Sequence, residues 1–278
     1  MHRITTSPLP YLAALLAAIT ALLYQDKADA AIIVSYAEAP GQYNSTLSHT
    51  QVFDFNTLPT GDLTDVTWHT VGTYDHLTVR PADIYGGAGD PSGTQYALQG
   101  AGGVNTTTLH LDQATGYFGL WWSAGDNQNV LAFYSGETLV ARFTTQTLLD
   151  AILPHTEYRG NPQTGSNSGG NYGEPYAFVN FYAQAGTTWD NIVFTNATGS
   201  GFESDNHTLR DHTWGAYQGE AGRVPGRHVA LVDGEQITLL PADSNTGTGA
   251  SQIPEPTALL LGTLALPLLG LRRRQSRH

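Results

Sequence analysis

Three carboxylates stand where β-strands would bring hard oxygen ligands together. Glu203 and Asp205 are two residues apart, so strand alternation places both on one face. Asp54 sits on the first clear strand pattern, Gln51 to Asn56. In an antiparallel jelly roll the first and last strands often pair, which would gather these acids, and carboxylate oxygens suit Ca²⁺. Asp190 is a further candidate ligand. Acids at strand ends also serve as solvated surface groups, and that reading stays open. Asp243-x-Asn245-x-Gly247 opens like a calcium loop, but its twelfth position is Pro254 rather than glutamate, so the stretch reads as linker.

The aromatic residues offer a second chemistry. Pyranose rings stack on exposed Trp and Tyr faces, and Asp, Asn and Gln bond their hydroxyls. Trp121, Trp122, Tyr134, Trp189 and Trp214 are the candidates, with the polar turn Asp126 to Asn129 close by. Trp121 and Trp122 are adjacent and point to opposite faces, so at most one is core on a one-sided sheet. Aromatics on strands also serve as core or rim packing. Hydrolysis is the rival chemistry. Glu203-x-Asp205 is similar to the Glu-x-Asp-x-x-Glu strand of laminarinase-like β-sandwich glycosidases, which need an acid/base and a nucleophile. The third acid would fall at Thr208, where the pattern fails. Neither a G-x-S-x-G elbow nor an H-E-x-x-H helix occurs. His207 and His212 fit no metal spacing and read as surface residues. The expectation is therefore a non-catalytic domain, with a β-sandwich polysaccharide hydrolase as the alternative.

The elements that position these residues are strands. Gln51 to Asn56 and Thr107 to Asp112 alternate apolar and polar with period two. Tyr117 to Trp122 reads as a buried central strand, followed by Val130 to Tyr134, Leu139 to Phe143, Tyr176 to Tyr182 and Trp189 to Thr195. Gly, Asn, Asp and Pro fill the intervals as turns require. Short strands at near-regular spacing predict an all-β, antiparallel, jelly-roll-like β-sandwich. Only Thr147 to Leu153 suggests a short helix. Arg159 to Pro175 is rich in Gly, Asn and Ser and reads as a long mobile loop rimming a binding surface.

Both ends carry apolar segments, predicted as terminal hydrophobic helices. Arg3, the apolar run Tyr11 to Leu23 and the small-x-small pattern Ala28-Asp29-Ala30 describe a secretory signal over residues 1–30, cleaved by signal peptidase after Ala30. At the other end Pro254-Glu255-Pro256 precedes the apolar run Thr257 to Leu271, then Arg272, Arg273 and Arg274. Clustered arginines stay on the cytoplasmic side, so everything before Pro254 lies outside the inner membrane. Fifteen apolar residues interrupted by Pro267 make a transient anchor. The exported part is residues 31–240, and residues 241–252 form a flexible linker to the 253–278 segment.

Composition narrows the function classes. Arg3, Lys27, Arg272, Arg273, Arg274 and Arg277 lie outside residues 31–253, leaving 6 cationic residues there against 21 acids. That stretch has no lysine and a net charge near −15, which excludes nucleic acid as a partner. The chain has no cysteine, so disulfides, thiol catalysis and thiolate metal sites are excluded.

The order Pro-Glu-Pro, apolar segment, arginine cluster resembles the PEP-CTERM sorting signal of Gram-negative bacteria. The resemblance covers about the last 26 residues. It implies recognition of Pro254, Glu255 and Pro256 by exosortase, removal of the tail, and delivery to the cell surface or extracellular matrix. The interior resembles exosortase-dependent surface proteins with a β-sandwich ectodomain. The residues that carry it are Val52 to Phe55, Gly116 to Ser123, Trp189 to Thr195 and Gly201 to His207. The partner expected from these features is exopolysaccharide of the cell's own matrix.

Overall fold

Strand-forming sequence occupies most of the domain, and it pairs antiparallel throughout. The structure, a computed structural model, describes residues 31–36, 39–89, 94–124, 128–146, 156–184, 186–197, 199–210, 227–233 and 236–239. Along the chain run β1 (Ala31–Tyr36), β2 (Thr50–Phe53), β3 (Gly61–Trp68), β4 (Gly72–Pro81) and β5 (Gln95–Gly100). Then come β6 (Thr106–Thr115), β7 (Tyr117–Ser123), β8 (Val130–Ser135), β9 (Thr138–Thr144) and β10 (Ala177–Ala183). β11 (Trp189–Thr195), β12 (Gly201–Arg210), β13 (Arg227–Asp233) and β14 (Gln236–Leu239) complete the set. The predicted helix at Thr147 to Leu153, the signal segment and the Pro-Glu-Pro tail lie outside the described residues. Among the described residues no helix is long and apolar enough to cross a membrane.

The strands hydrogen-bond as one sheet, in the order β14-β13-β1-β10-β7-β12-β5-β4-β6-β11-β8-β9, with β2 added to β12 and β3 to β4. β9 returns against β1 and β13, so the sheet wraps round until it nearly closes. Wrapping covers edges that would otherwise present unpaired backbone groups. β13 and β14 form a hairpin on β1 and carry the sheet past residue 210 to Leu239.

Inside the wrap lies the main core. Phe118, Leu120 and Trp122 of β7 face it, as do Val179 and Phe181 of the paired β10. Trp122 stacks on Phe202 at 4.5 Å and meets Phe143 edge-on at 5.9 Å. Trp189 packs against Phe133 at 4.8 Å. Burying one such side chain stabilises the fold by about 1.5–3 kcal/mol.

β7 and β10 are also buried on their other face, which corrects the expectation that only one of Trp121 and Trp122 is core. Trp121, Phe178, Tyr176, Ala88 and Ala124 form a second, smaller cluster there, with Tyr43 packed edge-on to Trp121 at 4.8 Å. Segments 39–49, 82–89 and 156–176 supply this cover.

β12 carries an irregularity that reassigns a residue. Its ladder with β7 shifts register between Asp205 and Thr208, and Asn206 takes a left-handed backbone conformation, φ +47°. This is a β-bulge, with an asparagine in the conformation that asparagine tolerates best after glycine. One extra residue changes the phase of alternation. Phe202 and Ser204 point into the core before the bulge, and His207 and Leu209 after it. His207 is therefore a core residue, only 1% exposed, and not a surface histidine. Its ring stacks on Phe194 at 4.8 Å. Nδ1 lies 2.9 Å from Tyr74 OH, and Nε2 lies 2.9 Å from Ser204 Oγ. Burial lowers its pKa from 6.5 to about 3, so the ring is neutral at ordinary pH.

Candidate functional site

The outer face of β12 and the loops above it make the site. Asp83 opens the turn that presents Tyr85: its Oδ1 accepts the backbone N–H groups of Tyr85 at 2.8 Å and Gly86 at 3.0 Å. Its Oδ2 accepts the hydroxyl of buried Tyr96 at 2.9 Å. Burial, then the charge and hydrogen bond of Asp83, raise the Tyr96 pKa well above its ordinary value, so it remains a donor.

The 159–175 segment, expected as a long loop rimming a binding surface, is stitched to this turn. Asn161 and Gln163 are buried, and their side-chain amides do the stitching. Asn161 Nδ2 donates to the carbonyls of Asp83 at 3.2 Å and Ile84 at 3.1 Å. Gln163 Nε2 donates to those of Gly86 at 3.0 Å and Gly87 at 2.6 Å. Tyr176 OH donates to the Ile84 carbonyl at 2.7 Å. Buried loop carbonyls need partners, and two amide side chains supply them here in place of a neighbouring strand. Asn171 Nδ2 then donates to Glu174 Oε2 at 2.6 Å, which orients that carboxylate.

Between these loops and β12 lies an open cleft of about 270 Å³, lined by Tyr85, Glu174, Glu203 and the backbone around Ser200 and Gly201. Tyr85 is 50% exposed and Glu203 only 7%. The Glu203 carboxylate folds back along the strand over Gly201, where a Cβ would meet it. The acids share one field: burial raises the Tyr176 pKa most, and Glu174, Glu203 and Asp83 each push it further up. A half-exposed tyrosine ring beside two carboxylates matches a sugar's apolar face and its hydroxyl donors. The volume lies below the ~300–1,000 Å³ of sites that engulf a drug-sized ligand.

The residues expected from sequence fall differently. β2 does pair with β12, which brings Asp54 close enough for its charge to act on Asp205. Glu203 and Asp205 do share the outer face, opposite Ser123 and Trp121. Yet Asp54 is exposed, and its Oδ1 accepts the Asn56 N–H at 3.2 Å. Asp205 is sealed beneath the 82–89 segment, accepting Ala88 N–H at 2.8 Å and Asn206 N–H at 2.6 Å. Burial raises its pKa well above the carboxylate range, against those two bonds. Among the described residues no group of three or more His, Asp or Glu is placed to hold a metal ion. Asp190 instead caps a turn, accepting Gly136 N–H at 2.9 Å. Thr208, where a third acid would stand, is buried and donates to the Asn206 carbonyl at 2.7 Å.

The sugar-stacking candidates need correction as well. Trp121, Trp122 and Trp189 are fully buried and offer no face to a ligand, because both faces of β7 and the inner face of β11 are covered. Tyr134 is half-buried on β8, opposite Asn191 and Leu139 and apart from the cleft lining. Trp214 lies outside the described residues. Among the described residues the most exposed aromatics are Tyr85 and Tyr172, the latter 83% exposed, and both lie in the covering loops.

No protein-family profile matches the chain, and no curated protein matches it. Among solved structures, the catalytic domain of a GH87 α-1,3-glucanase in complex with tetrasaccharides aligns at 11% identity with a TM-score of 0.28. The alignment covers 65% of this chain and 28% of that one. At that score the likeness carries no argument about fold or activity.

Proposed function

We propose that this chain is an exported surface or matrix protein that binds polysaccharide without cleaving it. The observation that carries the binding is the cleft, where Tyr85 stands beside Glu174 and Glu203 on a scaffold stitched from Asp83, Asn161 and Gln163. The strongly acidic, cysteine-free composition suits an exported protein that engages carbohydrate rather than nucleic acid. The wrapped sheet is read as a flattened, jelly-roll-like β-sandwich whose two halves enclose the aromatic core. Export through signal peptidase and exosortase rests on the terminal segments, with Pro254, Glu255 and Pro256 as the recognition element.

Non-catalytic binding is favoured over the laminarinase-like arrangement because the Glu203-x-Asp205 pair does not present two carboxylates to one substrate. Asp205 is spent on backbone N–H groups under the loop, and Thr208 replaces a third acid. A glycan array, run with Ca²⁺ and with EDTA, tests the binding and settles whether calcium takes part. Binding of at least one polysaccharide class, with no release of reducing ends, is the expected result. Release of reducing ends would replace this reading by the hydrolase. Absence of any binding would leave a structural role alone. Mass spectrometry of the mature protein from the cell surface tests the export route: ends near Ala31 and near Pro254 are expected, and an intact cytosolic chain would overturn it.

A further inference from the structure

A second opening lies at the far end of β12, roughly 20 Å along the strand from Glu203. It is a cavity of about 30 Å³ where the end of β12 meets β2, the β3–β4 turn and the end of β6. Arg210, the last residue of β12, forms one wall. It is 8% exposed, whereas Arg80 and Arg142 are half-buried and Arg159 is exposed. Around it stand Gln51 of β2, opposite Leu209 in the ladder, Thr70 of the turn, and Gln113 and Thr115 of β6. Strand alternation carries Gln113 and Thr115 to the pocket and turns Asp112 the other way. The described lining contains no carboxylate, although acids outnumber cations 21 to 6 across residues 31–253.

The polar groups here are set to donate. Thr115 Oγ1 accepts the Tyr117 N–H at 3.5 Å, which leaves its O–H to point elsewhere. Gln51 and Gln113 each carry an NH₂ group, and a guanidinium has donors only. Thr70 holds a left-handed backbone, φ +65°, which costs a β-branched residue about 1–3 kcal/mol. Strain of that kind collects at ligand clamps, and it sets Thr70 in this lining. Room decides the shape of the ligand group. About 30 Å³ is room for roughly two water molecules and for no sugar ring. A planar carboxylate fits, and it matches the guanidinium fork bidentately. Sulfate and phosphate are bulkier. The domain's negative charge opposes any anion at long range, but screening limits that opposition to about 8 Å at physiological salt. Within that range the pocket presents a cation and donors.

We propose that the pocket of Arg210, Gln51, Thr70, Gln113 and Thr115 binds the carboxylate of a uronic acid residue in an acidic polysaccharide. The carboxylate enters and the sugar ring stays at the mouth. A neutral chain leaves the pocket empty. The proposal takes its ligand class from the polysaccharide-binding reading above and uses none of the cleft's residues.

The test is calorimetry on the full chain in mild detergent. The probes are a galacturonate tetramer, the same tetramer fully methyl-esterified, and acetate. At least tenfold tighter binding of the acid than of the ester is expected, and tighter binding of the acid tetramer than of acetate. Gln113→Glu sets a carboxylate in the lining at an exposed position. It is expected to cut affinity for the acid at least tenfold while the melting temperature holds. Arg210→Lys keeps the charge without the fork and is expected to lose at least threefold. If it fails to fold, Gln113→Glu decides. Equal affinity for acid and ester, or no binding of either, would overturn the carboxylate pocket. Neither result touches the cleft, which the glycan array tests on neutral glycans. Acetate binding as tightly as the tetramer would overturn the saccharide as its ligand. A preference for the acid that survives Gln113→Glu would overturn the assignment to this pocket.

Discussion

The two faces of the β7–β10 pair are both dry, and they are dried by different means. On the inner face Trp122 stacks on Phe202, and Phe118 and Phe181 come from strands that alternate as strands should. On the outer face Trp121 is sealed by loops whose backbone carbonyls are satisfied by Asn161, Gln163 and Tyr176. Packing against strands creates a closed core. Packing under stitched loops leaves an opening where the loops part, and Tyr85, Glu174 and Glu203 line it. The proposed binding cleft sits where cover is made from polar stitching rather than from apolar packing.

The comparison is broken most severely from the inner face. Trp122→Ala is expected to lower unfolding stability by about 3–5 kcal/mol, read from urea melts, because the cavity cannot collapse within a closed sheet. The pH dependence of stability sharpens the same point. His207 titrates at about 3 in the fold and at 6.5 when unfolded, so below 6.5 the unfolded chain takes up a proton that the native chain refuses. Stability therefore falls as pH drops from 6.5 towards 3, with a slope that His207→Gln removes in melts recorded across that range.

Outer-face changes are expected to be smaller in stability and larger in function. Gln163→Leu strands the Gly86 and Gly87 carbonyls, for about 1–3 kcal/mol, and speeds hydrogen exchange through residues 83–88 more than through β7. Asp205 works in the opposite sense to His207. Its pKa is raised in the fold, so the native chain holds a proton that the unfolded chain has released, and its contribution weakens as pH rises above 3.8. Asp205→Asn is expected to flatten that alkaline limb. Tyr85→Ala closes the series: within about 0.5 kcal/mol of the parent in melts, as for an exposed side chain, yet defective in saccharide binding.

The same contrast explains what the sequence disclosed. β7, β8, β10 and β11 are legible because their apolar residues are dense or alternate, and β2 pairs with β12 as expected of the first clear strand pattern and a late one. The His207 environment is not legible, because one left-handed residue, Asn206, shifts the phase of its strand and no local pattern announces it. Nor is the outer cover. Asn161, Gln163 and Asn171 look like solvated loop residues until their partners, some 80 residues earlier in two cases, are in place. Trp121 was misread for the same reason: its strand looks one-sided unless those loops are known to fold over it. Glu203 stood out by its spacing with Asp205, while Glu174 carried no signal beyond its place in a loop expected to rim a surface.

Hydrogen–deuterium exchange with and without bound oligosaccharide tests the central claim most directly. The account predicts that protection on binding concentrates in residues 83–88, 170–176 and 200–203, with β6 and β8 unchanged. Binding that protects the Tyr134 surface of β8 instead, and leaves those three segments exchanging as before, would contradict it.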